Sequence, residues 1–176
     1  MSPLHDDAAQ VIAAWPQSDP VRERFLDLLE SSQDAIWASH PYAHLTASAL
    51  IVHPGLEKVL LCLHGRANKW MQLGGHCEPG DSTLAEAALR EAREESGLAD
   101  LVVHPVPIDL DIHAVNCRHG GQFHFDVRFA ILATGNTDEQ LSEESHALGW
   151  FAPGSLPEPM AHATERLIPL ALKVFR

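Results

Sequence analysis

The chain has 176 residues, 45% of them apolar and 20% charged, with 24 acidic side chains against 12 Lys and Arg and a net charge of −12. That length suits one ordinary core, and no apolar run approaches the ~18 residues of a membrane span. The acidic balance, with no basic patch in any stretch, argues against long nucleic acid as a partner but leaves room for a small phosphorylated substrate screened by metal ions. Cys62, Cys77 and Cys117 are widely spaced and form no CxxC pair. They give no disulfide framework and, with an N-terminus lacking a secretory pattern, fit a cytoplasmic protein.

In chain order, Asp19 as N-cap, Pro20 in the first turn and the helical spacing of Val21, Phe25, Leu28 and Leu29 predict a helix over 19–37. His44–His53 and Lys58–His64 read as strands joined by a turn at Pro54-Gly55. A helix follows at Leu84–Ser96, then strands near Leu101–Val115 and Phe123–Ala133 and a short one at Leu148–Phe151. Residues 153–159, PGSLPEP, cannot be regular structure, and a helix from Ala161 to Phe175 would be bent or interrupted by Pro169. Strands and helices mix without strict alternation, which predicts an α/β sandwich with a mixed sheet. Residues 1–40 read as a short helical extension of the same domain, and 41–176 as its main part.

Chemistry concentrates in Gly74–Leu98, GGHCEPGDSTLAEAALREAREESGL. Thr83 and Glu86 have capping-box spacing, and Gly97 stands where a left-handed C-terminal cap belongs. Ala85, Ala88, Leu89 and Ala92 form an apolar face of mostly small residues. Glu91, Glu94 and Glu95 share an adjoining face in the C-terminal half, where the helix dipole disfavours each negative charge by ~0.3–1 kcal/mol. Arg90 and Arg93 offset part of that repulsion. A hard cation such as Mg²⁺ or Mn²⁺ would remove the rest, whereas a solvated charged face is the plainer alternative for three acids on a helix.

The order of these residues resembles the Nudix box. Arg90-Glu91-Ala92-Arg93-Glu94-Glu95-Ser96-Gly97-Leu98 matches its second half at every position, and Gly75 matches its opening glycine. The first half departs from the pattern: Asp81 stands where Glu is expected, with eight residues rather than seven before Arg90. Trp70 precedes the box as an aromatic often does in the family, Leu73 replaces a frequent proline, and Glu144 and Trp150 resemble a downstream acid-then-tryptophan segment. The resemblance spans about residues 45–152. It implies the Nudix α/β/α sandwich and Mg²⁺- or Mn²⁺-dependent hydrolysis of a diphosphate linkage, in a nucleotide or nucleoside diphosphate derivative. By the same resemblance, the Gly75 carbonyl, Glu91 and Glu95 are metal ligands, and Glu94 is a further ligand or the base that orients water. Arg90 holds a box glutamate by an ion pair, and Glu144 is a second candidate base.

Other features carry less. The 12 histidines include His76-Cys77, Cys62/His64 and His113/His124, yet nothing has CxxC or HxxxH spacing, so the sequence offers no zinc-type ligand set. His64 and His124 lie on predicted strands and are candidates for substrate contact, as are Lys69 and Trp70 beside the glycine loop. Asp109, Asp111 and His113 share one strand face by period two, which favours a solvent-facing edge over a cleft wall. The rival function is a non-catalytic Nudix-like ligand-binding or regulatory domain, and an isomerase on the same fold has no aligned cysteine motif to support it. Residues 1–40 and the C-terminal helix are left to shape substrate choice or a homodimer interface.

Overall fold

The computed structural model describes residues 2–16, 18–115, 122–142 and 145–176. It opens with α1 (Pro3–Ala13), capped by Ser2, and α2 (Pro20–Ser31), whose Asp19 cap accepts the Val21 N–H at 2.9 Å. The expectation of one helix over 19–37 is corrected: Ser32 adopts extended backbone, ends α2, and caps a separate 3-10 turn at Gln33–Ile36. α1 falls within the helical extension expected of residues 1–40, its Leu4, Ala8 and Ile12 forming a buried stripe of period four.

Eight strands form one mixed sheet: β1 (Ala43–Val52), β2 (Val59–His64), β3 (Trp70–Met71), β4 (Leu73–His76), β5 (Leu101–Val103), β6 (Asp109–Ala114), β7 (Phe123–Ala133) and β8 (Ser145–Phe151). β1 is its axis. It runs parallel to β7 over its whole length and antiparallel to β4 through Thr46–Ala49 and to β2 through Ile51–Val52. The single strand expected near Leu101–Val115 is two strands. Pro105 and Pro107 have no N–H to give the ladder, while His104 and Ile108 on either side still donate to Ala130 and Arg128 of β7.

The alternation of side chains divides the sheet into two faces. On one, Leu45, Ala47, Ala49 and Ile51 of β1 and Phe125, Val127, Phe129 and Ile131 of β7 join a core with α1, α2 and α3 (Leu84–Ser96). On the other, Leu50, Val52 and Ala130 pack beneath Leu167, Ile168, Ala171 and Leu172 of α4 (His162–Val174), which continues through Pro169. The N-terminal halves of β1 and β7 carry polar residues on this second face: His44, Thr46 and Ser48 lie opposite His124, Asp126 and Arg128. Among the described residues no helix is long and apolar enough to cross a membrane.

Candidate active site

α3 begins where its sequence directs it. Thr83 accepts the Glu86 N–H at 3.1 Å, and the Glu86 carboxylate reaches back to the Ser82 N–H at 3.1 Å. A third acceptor comes from outside: Asp7 of α1 takes the Leu84 N–H at 2.8 Å, a carboxylate at the positive end of the helix. Burial, followed by the nearby Glu86 charge, raises the Asp7 pKa against the lowering effect of that hydrogen bond. The helix ends at Gly97, whose φ of +69° is the left-handed conformation a side chain would oppose. The buried face is Leu84, Ala87, Ala88 and Ala92; Ala85 and Leu89, expected on it, are only partly covered.

Arg90 is the hub of the acidic half. Its Nε and Nη2 donate to the two Asp81 oxygens at 3.1 and 3.0 Å, and Nη2 donates to the His76 carbonyl at 2.8 Å. Its Nη1 donates to Glu91 at 3.1 Å and Glu94 at 3.0 Å. Burial alone would lower the Arg90 pKa, but the Asp81 hydrogen bonds and the Glu91 and Asp81 charges hold it above its usual range. The departure of Asp81 from the expected pattern is thereby accommodated. A turn closed by Asp81 N–H to the Glu78 carbonyl, with the Glu78 N–H donated back to Asp81, turns the shorter side chain onto the guanidinium. Asp81 was the least assigned residue of the box, yet its side chain is 6% exposed and grips Arg90 with both oxygens.

The strand β4 brings backbone to the same place. A Cβ on Gly75 would lie 2.7 Å from a Glu91 carboxylate oxygen, so a side chain here would push that carboxylate from its present position. The Gly74 N–H donates to Glu95 at 3.3 Å, and Glu95 is buried. Glu91 and Glu95 thus meet the glycine backbone, Arg90 links Glu91 to the more exposed Glu94, and oxygen donors of this kind suit Mg²⁺ or Mn²⁺. The adjacent thiols are held in the protonated form. Burial pushes Cys62 up to about 12, helped by the Glu95 charge, and Cys77 up to about 12, helped by Asp81.

A second polar assembly occupies the other face of the sheet. Asp126 accepts from Thr46 at 2.9 Å, Ser48 at 2.8 Å and Arg128 Nε at 2.7 Å. Arg128 also donates to Asp109 at 3.1 Å and Asp111 at 2.9 Å, and Arg166 of α4 donates to the same two at 2.7 and 2.8 Å. Asp109 and Asp111 are thus not a solvent-facing edge: β7 and α4 supply guanidinium partners the strand's own sequence does not reveal. Beyond them His44, His76 and His124 crowd together, with ring centroids 4.8–5.3 Å apart. Burial, then the neighbouring His44, His76 and His113, pushes His124 down to about 3, so it is a neutral imidazole at ordinary pH.

The sequence pattern of the NUDIX domain matches residues 43–171. The chain belongs to the Nudix family. Among solved structures it is similar to a Nudix-family hydrolase from Clostridium perfringens, 27% identical over 76% of this chain and 98% of that one, with a TM-score of 0.63. It is also similar to a MutT Nudix hydrolase from Burkholderia pseudomallei, 26% identical over 73% and 97% of the two chains at a TM-score of 0.54. An Ap4A hydrolase from C. elegans, at 19% identity over 74% and 96% with a TM-score of 0.62, shares the fold. A comparison with curated proteins gave no match.

Within this Nudix domain the remaining described candidates have other surroundings. His64 accepts the Arg66 and Ala67 N–H groups, both at 3.2 Å, in the turn between β2 and β3, and Lys69 is exposed at the end of that turn. Trp70 packs edge-on against Phe151 with centroids 5.0 Å apart, in the apolar cluster beneath α4. His124 belongs to the histidine group, and Glu144 lies outside the described residues. Sequence reasoning missed His44, Thr46, Ser48, Asp126, Arg128 and Arg166. The available signal was alternation: HLTAS in β1 and HFDVR in β7 each place a polar residue at every second position.

Proposed function

We propose that this Nudix protein hydrolyses a diphosphate linkage in a small nucleotide-like substrate, with a divalent cation bound at the N-terminal glycines and C-terminal acids of the box. The carrying observation is that Glu91 and Glu95 meet the Gly74-Gly75 backbone, with Glu91 2.7 Å from where a Gly75 Cβ would be, while Arg90 ties Glu94 to the same group. Glu91, Glu95 and the Gly75 carbonyl would hold Mg²⁺ or Mn²⁺. The cation supplies screening of the diphosphate, polarisation of phosphorus and a lowered pKa for the attacking water.

The chain's own groups do the rest. Glu94, its side chain 58% exposed, would accept the proton of the water. Arg90 holds Glu91 and Glu94 in position, and Asp81 holds Arg90. Water oxygen bonds to phosphorus, the bond from that phosphorus to the bridging oxygen breaks, and two phosphorylated products leave. Glu144 is a second candidate base, and Lys69, Trp70, His64 and His124 are candidate substrate contacts. Cys62 and Cys77 are free thiols, which suits a cytoplasmic setting. A homodimer is compatible with this function. A purely ligand-binding role would leave the crowded carboxylates without a task.

The test is release of phosphorylated products from a panel of diphosphate compounds with Mg²⁺ or Mn²⁺, for the wild type and Glu95→Gln. Turnover that a chelator abolishes and the substitution cuts by roughly a thousandfold, or ~4 kcal/mol, is expected. No turnover on any compound, or equal turnover by the variant, would overturn the assignment.

A further inference from the structure

The strand β4 carries two different kinds of metal-binding chemistry, one on each side. Gly75 faces the carboxylates of α3; the next residue, His76, faces His44 and His124. One ligand nitrogen from each of these three histidines lies within 4.8 Å of the other two. Three nitrogens bound at ~2.0–2.1 Å around a tetrahedral ion sit about 3.4 Å apart, so modest ring rotations bring this group to bonding geometry. We propose that His44, His76 and His124 bind a borderline transition-metal ion of the Zn²⁺ class, separate from the oxygen-donor site of the box.

Several observations carry this. The backbone under the rings is fixed by sheet register: His44 lies directly opposite His124 in the β1–β7 pair, and His76 is paired with Thr46, two residues along β1. Such a scaffold holds donors more firmly than loops do. The donors are all imidazole, which suits Zn²⁺, Cu²⁺ or Ni²⁺ and gives Mg²⁺ nothing it prefers. His124 Nε2 is buried and makes no hydrogen bond among the described residues, as expected of a nitrogen whose partner is an ion. His113 stands over His124 with centroids 5.5 Å apart and is hydrogen-bonded to Asp111 at 2.8 Å, so a fourth imidazole with a carboxylate behind it borders the group. Three protein ligands leave a fourth position for water or a substrate oxygen.

The site stands on its own observations and does not depend on the hydrolase assignment. Its ligands come from three strands far apart in the chain, which is why no spacing motif announces it. Because His76 follows Gly75 directly, an ion here also pins the strand whose other side meets Glu91 and Glu95.

The experiment uses the full, untagged chain, stripped with chelator and titrated with Co²⁺ and Zn²⁺. One Co²⁺ per chain with the intense visible absorption of a tetrahedral nitrogen site, displaced by Zn²⁺, is expected. His124→Gln and His44→Gln should each weaken binding at least about 100-fold, while the double variant Glu91→Gln/Glu95→Gln keeps the absorption. X-ray absorption of the Zn²⁺-loaded wild type, which needs no variant to fold, should show imidazole scattering from three ligands. An all-oxygen shell, absence of the visible band, or loss of the band in the glutamate variant rather than the histidine ones overturns the proposal.

Discussion

Two arginine-centred clusters of acids sit on opposite faces of the sheet, and they differ in how their charge is balanced. On the α3 side, Arg90 hydrogen-bonds Asp81, Glu91 and Glu94, with Glu95 a fourth carboxylate beside Gly74. On the other side, Arg128 and Arg166 together bind Asp109, Asp111 and Asp126. The first has one guanidinium for four acids and its glutamates reach toward backbone glycines; the second has two for three acids and adds hydroxyl donors from Thr46 and Ser48. An excess of carboxylate stabilises an incoming cation, while a closed network of charge-assisted hydrogen bonds locks strands and helix together. Similar residues therefore suit the proposed reaction in one place and architecture in the other.

Substitutions can break or sharpen that contrast. The largest effect should come from Glu91→Gln, which removes charge from the α3 cluster. We expect kcat/KM to fall by roughly a thousandfold or more while the melting temperature holds or rises; an equal loss of both would erase the distinction. Arg128→Leu should do the reverse. It leaves buried Asp126 without its guanidinium at ~3–5 kcal/mol, a drop of about 10 °C in Tm readable by calorimetry, and a change under 2 °C would deny the network its architectural role. Asp81→Asn lies between, loosening the grip on Arg90: an expected loss of about tenfold in activity with ~1–2 kcal/mol of stability, separable by measuring both.

The smallest effect concerns acid. The His113 hydrogen bond and the Arg128 and Arg166 groups outweigh burial and hold Asp111 below its ordinary value of 3.8. A carboxyl depressed in the folded state adds stability above its unfolded pKa and loses it as pH falls below about 3.8 toward the folded value. The Tm gap between wild type and Asp111→Asn should thus be widest near neutrality and narrow below that pH. A gap constant across an acid titration would show that the charge of Asp111 contributes nothing.

α3 was legible to the residue, because its cap, its glycine stop and its small-residue face are all local signals. β7 was legible as well, through its long alternation. The carboxylates of the box could be read because the helix puts them on one face by spacing alone. What the sequence concealed depends on register between strands: the histidine group, the Asp126 hub and the second partner for Asp109 in Arg166. Asp81 shows the intermediate case, where the residue was visible in the sequence but its reach to Arg90 depended on the turn at Glu78. α1 was legible only as part of a helical extension without bounds, because a short stripe of Leu4, Ala8 and Ile12 resembles many exposed segments until another surface covers it.

The parallel pairing of β1 with β7 has a kinetic meaning. Thr46 and Asp126 are 80 residues apart, and at roughly 5–20 residues per second a ribosome needs roughly 4–16 s to make the second after the first. During that interval β1 can pair locally with β2 and β4 and receive α3, so the acidic cluster has its scaffold early. The β1 edge that will meet β7 meanwhile presents bare N–H and C=O groups, an invitation to pair with another chain. The acids of α3 are assembled from neighbours, but the histidine group must wait for His124 in the far half of the chain, and that wait is when the nascent protein is most exposed to aggregation.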